Sequence, residues 1–496
     1  MSLAIVYTRA RVGMDAPSVT VEVHLSNGLP AFNIVGLPDA AVRESKERVR
    51  SAILNSELEF PQRRITINLA PADLPKDGGR FDLAIAIGIL VASKQLPSAA
   101  LEQQEFLGEL ALSGELRPVE GVLTAALACS KNRLALVVPA ANGNEACLPQ
   151  DSRIYACSEL LQVCKLLSEP ANVKLHLGTQ GTQSAVEYPD LADVKGQYQA
   201  KRALEVAAAG KHNMLMMGPP GAGKSMLAAR LPGILPAMTE RESMETAAVH
   251  SVAQVSSTPL FQRPIRAPHH TASGVALAGG GSNPKPGEIS LAHNGILFLD
   301  ELPEFSRKVL EVLREPLESG EIAISRAAQQ VTYPANFQLI AALNPCPCGH
   351  PEKPPQECHN PQACCSKYQS KLSGPLLDRI DLHVHVEAIP ISELQNQEEG
   401  ESSETVRQRV SQARQVQLQR QGCANHDLSA KQLETFCQIS KPDAQFLQQA
   451  VERLGLSARG YHRVLKVART LADLAQQAHI QKQNLTEALS YRTLFK

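Results

Sequence analysis

Residues 218–225 read Gly218-Pro219-Pro220-Gly221-Ala222-Gly223-Lys224-Ser225 and fit the spacing G-x-x-x-x-G-K-[ST] throughout. Such glycines let the backbone curl so that its N–H groups face phosphate. Lys224 then brings positive charge to β- and γ-phosphates, and the Ser225 hydroxyl suits Mg²⁺. A second run, Gly295-Ile-Leu-Phe-Leu-Asp300-Glu301, is an apolar strand pattern ending in two acids. Asp300 suits the Mg²⁺ shell, and Glu301 suits a base that polarises water for attack on the γ-phosphate.

Elements must hold these groups. The apolar run 213–217 reads as a strand entering the glycine loop, and 225–231 as the helix leaving it, whose positive end faces phosphate. Strands and helices alternate over the whole block 188–390, which predicts a mostly parallel sheet with helices on both faces. Before it, 1–167 forms a block of its own. There 19–25 and 65–69 alternate like strands, and 40–54 and 83–94 read as helices with Pro38-Asp39 and Asp82 as start signals. Residues 168–187 are polar and Gly/Thr/Gln-rich, a linker. The block 391–496 opens on a polar stretch and then shows helical patterns over 405–421, 430–440 and 458–477.

A chain of 496 residues with 43% apolar residues is expected to fold into about two to four globular domains. Its net charge of −1 gives no bulk signal for nucleic acid, so a DNA contact must come from a local patch. No run of about 18 apolar residues occurs, and the N-terminal residues lack a signal-peptide pattern; a cytoplasmic protein without a membrane contact is expected. Eleven cysteines then argue against a disulfide framework.

The stretch from Arg266-Ala-Pro-His-His-Thr through Gly279-Gly-Gly and Pro284-Lys-Pro-Gly-Glu-Ile-Ser to Asp300-Glu301-Leu-Pro-Glu-Phe305 resembles the magnesium-chelatase-type AAA+ ATPases. With the N-terminal block, the resemblance is to the YifB/ComM group of competence-associated branch-migration helicases, over about residues 3–490. It implies an α/β AAA+ P-loop ATPase core with a helical C-terminal lid, preceded by a Lon-protease-like α+β domain. It implies ATP and Mg²⁺, with Gly218, Gly221, Ala222, Gly223, Lys224, Ser225 and Asp300 in the nucleotide site. Asn344, at the end of the next apolar run, matches the sensor-1 position that reads the γ-phosphate. Arg379 matches the arginine finger offered to a neighbouring subunit. Arg459 matches the sensor-2 arginine of the lid, with Arg463 one turn on as the alternative. The partners implied are single-stranded or branched DNA and further copies of the chain in a ring, a hexamer.

The N-terminal block is similar to the Lon protease domain at Pro75-Lys-Asp-Gly-Gly-Arg80 and at 107–123. Arg80 stands at that family's serine position and Leu123 at its lysine position, so a folded but proteolytically dead domain is expected.

Two features bear on partners. Ile322 and Ile324, then Val331 and Tyr333, bracket a polar turn: a β-hairpin with Arg326 near its tip. In the related MCM helicases a hairpin here enters the ring pore, where a repeated cation tracks phosphates; the alternative is a surface hairpin. The glycine-rich insertion 271–287 carries Lys285, a second candidate for DNA. Cys346, Cys348, Cys358, Cys364 and Cys365, with His350 and His359 nearby, offer enough donors for a structural Zn²⁺, or stand as reduced thiols. The rival function is a magnesium-chelatase-like ATPase subunit that remodels a protein partner. That group in its usual form lacks the N-terminal block, and no metal-binding D-x-S-x-S segment occurs here.

Overall fold

The computed structural model describes residues 2–99, 101–178, 187–255, 260–281, 284–325, 330–347, 361–389 and 400–492. They build two compact units. The first is Met1–Gln183 with Met244–Leu260 and Ala327–Tyr333; the second is Ser184–Ser243 with Phe261–Arg326 and Pro334–Lys496.

The first unit carries a seven-stranded mixed sheet: β1 (Ser2–Arg9), β2 (Ser18–Ser26), β3 (Ala31–Val35), β4 (Arg64–Ala70), β5 (Gln104–Phe106), β6 (Ala135–Pro139) and β7 (Arg153–Cys157), in the order β3-β4-β2-β1-β5-β6-β7. Alternation in β2 puts Val19, Val21, Val23 and Leu25 into the core and the residues between them outside. Helix α1 (Ala40–Asn55) starts at Asp39, whose carboxylate accepts from the Val42 N–H at 2.7 Å. Helix α2 (Asp82–Ala92) is buried along its whole length. The expected start signal stands at the first residue of this helix. Asp82 is the first helical residue and not the cap, and it accepts from Arg48 Nε at 2.7 Å. A carboxylate this deep needs a cation more than the helix needs a cap.

The second unit is built on a five-stranded sheet. Its strands are β8 (Met214–Met217), β9 (Ile265–Arg266), β10 (Ile296–Leu299), β13 (Gln338–Leu343) and β14 (Leu382–His385). Outside both sheets, β11 (Glu321–Ser325) with β12 (Gln330–Pro334) makes a separate two-stranded ladder. The order is β9-β10-β13-β8-β14, and every pairing is parallel. The expected mostly parallel sheet is therefore present. All six residues of β13 are buried, as the central strand of a covered parallel sheet requires. Helices α3 (Tyr198–Gly210) and α4 (Lys224–Ile234) pack with it, and α5 (Ser403–Gln421), α6 (Ala430–Phe436), α7 (Lys441–Arg453), α8 (Ala458–Leu474) and α9 (Lys482–Ser490) follow. The helix expected over 430–440 ends at Phe436, because Ser440 caps the next one by accepting from the Asp443 N–H.

A single hydrophobic cluster runs from Leu191 through Met216, Ile340 and Val384 to Val410, Leu471 and Leu489. Polar contacts reinforce it. Arg414 of α5 donates to Ala209 O at 3.0 Å and Ala208 O at 2.9 Å, and Gln417 to Ala209 O at 3.1 Å. These are the last carbonyls of α3, which no helical N–H can reach. Among the described residues, no helix is long and apolar enough to cross a membrane.

Candidate nucleotide site

The loop after β8 is shaped by backbone that only glycine takes easily. Gly221 and Gly223 sit at φ +77° and +92°, and a Cβ on Gly221 would meet nothing within 4 Å. That open space is where a phosphate fits. Gly218 serves close approach: a Cβ there would lie 2.1 Å from Val386 O. Ala222 is buried in the core beside this loop.

Lys224 opens α4 and turns back over the loop. Its ammonium donates to Gly218 O at 2.7 Å, Pro219 O at 2.9 Å and Asn344 Oδ1 at 2.9 Å. Burial pulls its pKa below the ordinary lysine value, opposed by the Asp300 and Glu301 carboxylates. Ser225 Oγ donates to Asp300 Oδ2 at 2.7 Å. Four residues from three strand ends are thus joined by hydrogen bonds. The strand order explains how: β13, which Asn344 directly follows, lies between β8, which feeds the loop, and β10, which delivers Asp300. An ammonium, a hydroxyl and a carboxylate on one edge form a donor set suited to a magnesium–triphosphate.

Glu301 stands next to it with φ 49° and ψ 47°, the left-handed region. A non-glycine residue there costs about 1–2 kcal/mol, so the surrounding structure holds it in place. Its carboxylate faces His270 Nδ1 at 3.4 Å, and the His270 ring meets Phe305 edge-on. Sequence reasoning gave His270 no role. Its only signal was its place in the His269-His270 pair, and nothing local tells which tertiary partner such a pair takes.

Arg379 and Arg459 lie away from this edge. In the parallel register Met214 pairs with Leu382 and Met217 with His385. Arg379 therefore precedes β14 at the edge where β8 begins, while the glycine loop leaves the edge where β8 ends. The strand alone separates these edges by about 10 Å. Asn213, just before β8, donates from Nδ2 to Arg379 O at 3.4 Å, in keeping with that position. Arg379 pairs with Glu318 at 2.5 Å, and Arg459 approaches the same Glu318 oxygen at 3.4 Å.

Arg463 instead donates to Asp381 Oδ1 at 2.6 Å, and His426 Nδ1 donates to Asp381 Oδ2 at 2.8 Å. His212, Asp381 and His426 form a cluster whose donor atoms could converge on a metal ion, but the Arg463 guanidinium already neutralises the carboxylate. Burial pushes the Asp381 carboxyl up; Arg463 and the imidazoles outweigh it and hold it well below the usual carboxylate range. A depressed pKa stabilises the fold fully above the unfolded value, about 4, and the gain is lost as pH falls below it. Asp381→Ala should lower unfolding stability by about 3–5 kcal/mol at neutral pH, since Arg463 is left unpaired in the interior. Urea titrations at pH 7 and at about pH 2.5, well below the unfolded carboxyl value, check this: the deficit should shrink at the lower pH.

Three family models match in succession. "Subunit ChlI of Mg-chelatase" covers residues 21–142, "Magnesium chelatase, subunit ChlI" residues 190–394, and "Magnesium chelatase, subunit ChlI C-terminal" residues 400–492. The competence protein ComM of Haemophilus influenzae is 53% identical over 508 residues, covering 100% of this chain and 98% of its own. The chain belongs to the ComM/YifB family of magnesium-chelatase-like proteins. YifB of Escherichia coli, an uncharacterized protein, is 48% identical over 497 residues, with 100% of this chain and 98% of its own covered. The magnesium-chelatase 38 kDa subunit of Cereibacter sphaeroides is 28% identical over 174 residues, which is 31% of this chain and 51% of that one.

Within this ComM/YifB chain the remaining expected residues stand as follows. Lys285 is exposed and pairs with Gly280 in a two-residue ladder. Arg326 lies outside the described residues, although the strands flanking it form the expected hairpin. Cys346 is buried and Cys365 half-buried; Cys348, Cys358, the Cys364 side chain, His350 and His359 lie outside the described residues. In the first unit, Arg80 is buried and donates from Nη2 to Glu120 O at 3.1 Å, and Leu123 is buried in the helix Val122–Lys131.

Proposed function

We propose that the chain is an AAA+ ATPase that assembles into a ring, a hexamer, and moves single-stranded or branched DNA. The observation that carries the ATPase reading is the convergence of Lys224, Ser225, Asp300 and Asn344 beside an open glycine loop. Mg²⁺ held by Ser225 and Asp300 would draw charge from the β- and γ-phosphates. The ammonium of Lys224 exchanges its two loop carbonyls for phosphate oxygens, and Asn344 orients the attacking water. Glu301 takes the proton of that water as its oxygen bonds the γ-phosphorus and the bond to the β-phosphate oxygen breaks. Arg379, on the wrong edge for its own loop, supports the ring: its charge serves the phosphates of a neighbouring chain, and Arg459 joins it.

The DNA reading draws on the full-length likeness to a protein named for competence and on the hairpin carrying Arg326. Lys285 is the second cation. The first unit, similar to a Lon protease domain, serves as a collar, docking surface or DNA guide, for Arg80 and Leu123 offer neither a nucleophile nor a base. The reading extends to a structural Zn²⁺ held by four of Cys346, Cys348, Cys358, Cys364 and Cys365, with reduced thiols as the alternative. Likeness to a chelatase subunit over 31% of the chain favours a second reading, an ATPase that remodels a protein partner.

Forked DNA separates the two. On the first reading it stimulates ATP hydrolysis; on the second, hydrolysis responds only to a protein partner with porphyrin. Arg326→Ala should then leave DNA-free hydrolysis near the parental rate while DNA stimulation and strand movement fall sharply. The logarithmic salt slope of DNA binding should drop by about 0.7–0.9 for each phosphate no longer neutralised. An unchanged slope with unchanged strand movement would move the DNA path away from the hairpin, to Lys285.

A further inference from the structure

Glu318 has no role in the sequence reading, yet both displaced arginines meet on it. It lies on a single helical turn, Pro316–Ser319, and Gly320, at φ +72°, turns the chain directly into β11. One oxygen, Oε1, faces Arg379 Nη2 at 2.5 Å and Arg459 Nη2 at 3.4 Å. The arginines come from the segment before β14 and from the first turn of α8, so nothing local brings them together. Arg379 is buried and its Nε has no hydrogen-bond partner, whereas the Glu318 side chain is 45% exposed. A hollow beside them is lined by Leu428, Ala430 and Leu433 together with Glu318, Arg459, His462, Arg463 and Lys466. The hydrogen bond from Arg379 holds the Glu318 carboxyl below its ordinary value against partial burial, and Arg459 and Arg463 add to this.

We propose that Glu318 is a positioning residue that parks Arg379 and Arg459 together in the single chain and releases them to the nucleotide phosphates of a second copy of this chain. The proposal rests on the ring reading given above. One carboxylate oxygen, with Pro375 O accepting from Arg379 Nη1 at 2.6 Å, under-satisfies two guanidinium forks, while a γ-phosphate offers three oxygens and more charge. The exchange therefore favours the phosphate, and it costs the Arg379–Pro375 bond and an ion pair whose carboxylate is half exposed. Position adds a coupling. Only Ser319 and Gly320 separate Glu318 from β11, and Gly320 O accepts from the Ala335 N–H at 2.7 Å just beyond β12, which closes the base of the hairpin.

The test measures ATP turnover per chain, with and without forked DNA, for the full-length parent, Glu318→Gln, Glu318→Asp and Arg379→Ala. Glu318→Gln keeps an oxygen for Arg379 and lies half in solvent, so its melting temperature should match the parent. Its DNA-free turnover should rise about threefold, the size that one half-exposed ion pair supports, with the DNA stimulation ratio falling by a similar factor. Glu318→Asp, which keeps the charge, should stay near the parent. The DNA-free arm reads the release of the arginines whether or not DNA stimulates the parent. Parental or lowered DNA-free turnover in Glu318→Gln overturns the parking role. Arg379→Ala tells the two failures apart: if it loses turnover while Glu318→Gln is parental, only the parking role falls. If Arg379→Ala is itself parental, the arginine finger reading falls with it.

Discussion

Glu301→Gln chains should bind ATP with parental affinity and hydrolyse it about a hundredfold or more slowly. The amide keeps the size of the side chain but cannot take a proton from water. The Ser225–Asp300 pair, which is separate from it, stays intact. Lys224→Ala should fail earlier, at binding, because it removes the ammonium that the loop carbonyls and Asn344 hold beside the glycine loop. Its melting temperature should stay close to parental. Fluorescent-nucleotide binding followed by single-turnover hydrolysis separates the two variants. Parental turnover in Glu301→Gln would remove Glu301 from the chemistry and turn attention to its neighbour His270.

Mixing two inactive proteins should restore activity. Arg379→Ala chains keep a complete loop site, and Lys224→Ala chains keep a complete arginine finger. With random mixing in equal amounts, about a quarter of the interfaces join an intact site to an intact finger, and turnover should recover to about that fraction if interfaces act independently. Each protein alone should stay near zero. The prediction follows from the strand register: Arg379 sits at the edge of the sheet opposite the loop, and a cation there has no use for its own nucleotide. A strictly monomeric chain with full activity, or mixtures no better than their parts, would end the ring reading.

The parts legible in the sequence are those whose chemistry is local. The run Gly218 to Ser225 dictates a phosphate loop because the glycines, lysine and serine act through backbone only a few residues long. The apolar runs ending in Asp300 and Asn344 announce buried parallel strands for the same reason, and Asp39 caps α1 through a contact three residues away. What failed to show depends on partners far along the chain. Asp82 carries every local mark of a helix start, yet Arg48, 34 residues earlier, claims its carboxylate. The helical pattern over 430–440 runs on to Ser440, and only the cap that Ser440 gives to the Asp443 N–H reveals that the helix has already ended at Phe436. His270 beside Glu301, and Glu318 beneath two arginines, are pairings that spacing cannot announce. The order β9-β10-β13-β8-β14 was equally silent, since alternation of elements predicts a parallel sheet without saying which strand lies next to which.

The shared hydrophobic cluster beneath α3, α5 and α8 limits how this machine can work. Helix α5 closes the end of α3 with Arg414 and Gln417, and α8 contributes Leu471 to the same interior that holds Met216 and Ile340. A lid joined to its base this way cannot flap on a soft tether without opening the interior to water. Amides from β8 to α9 should therefore exchange with solvent as one cooperative block. On the proposed ring reading, work drawn from nucleotide would then leave the subunit as whole-body rotation against a neighbour, with the protein acting as a stiff lever whose compliance is kept at its edges.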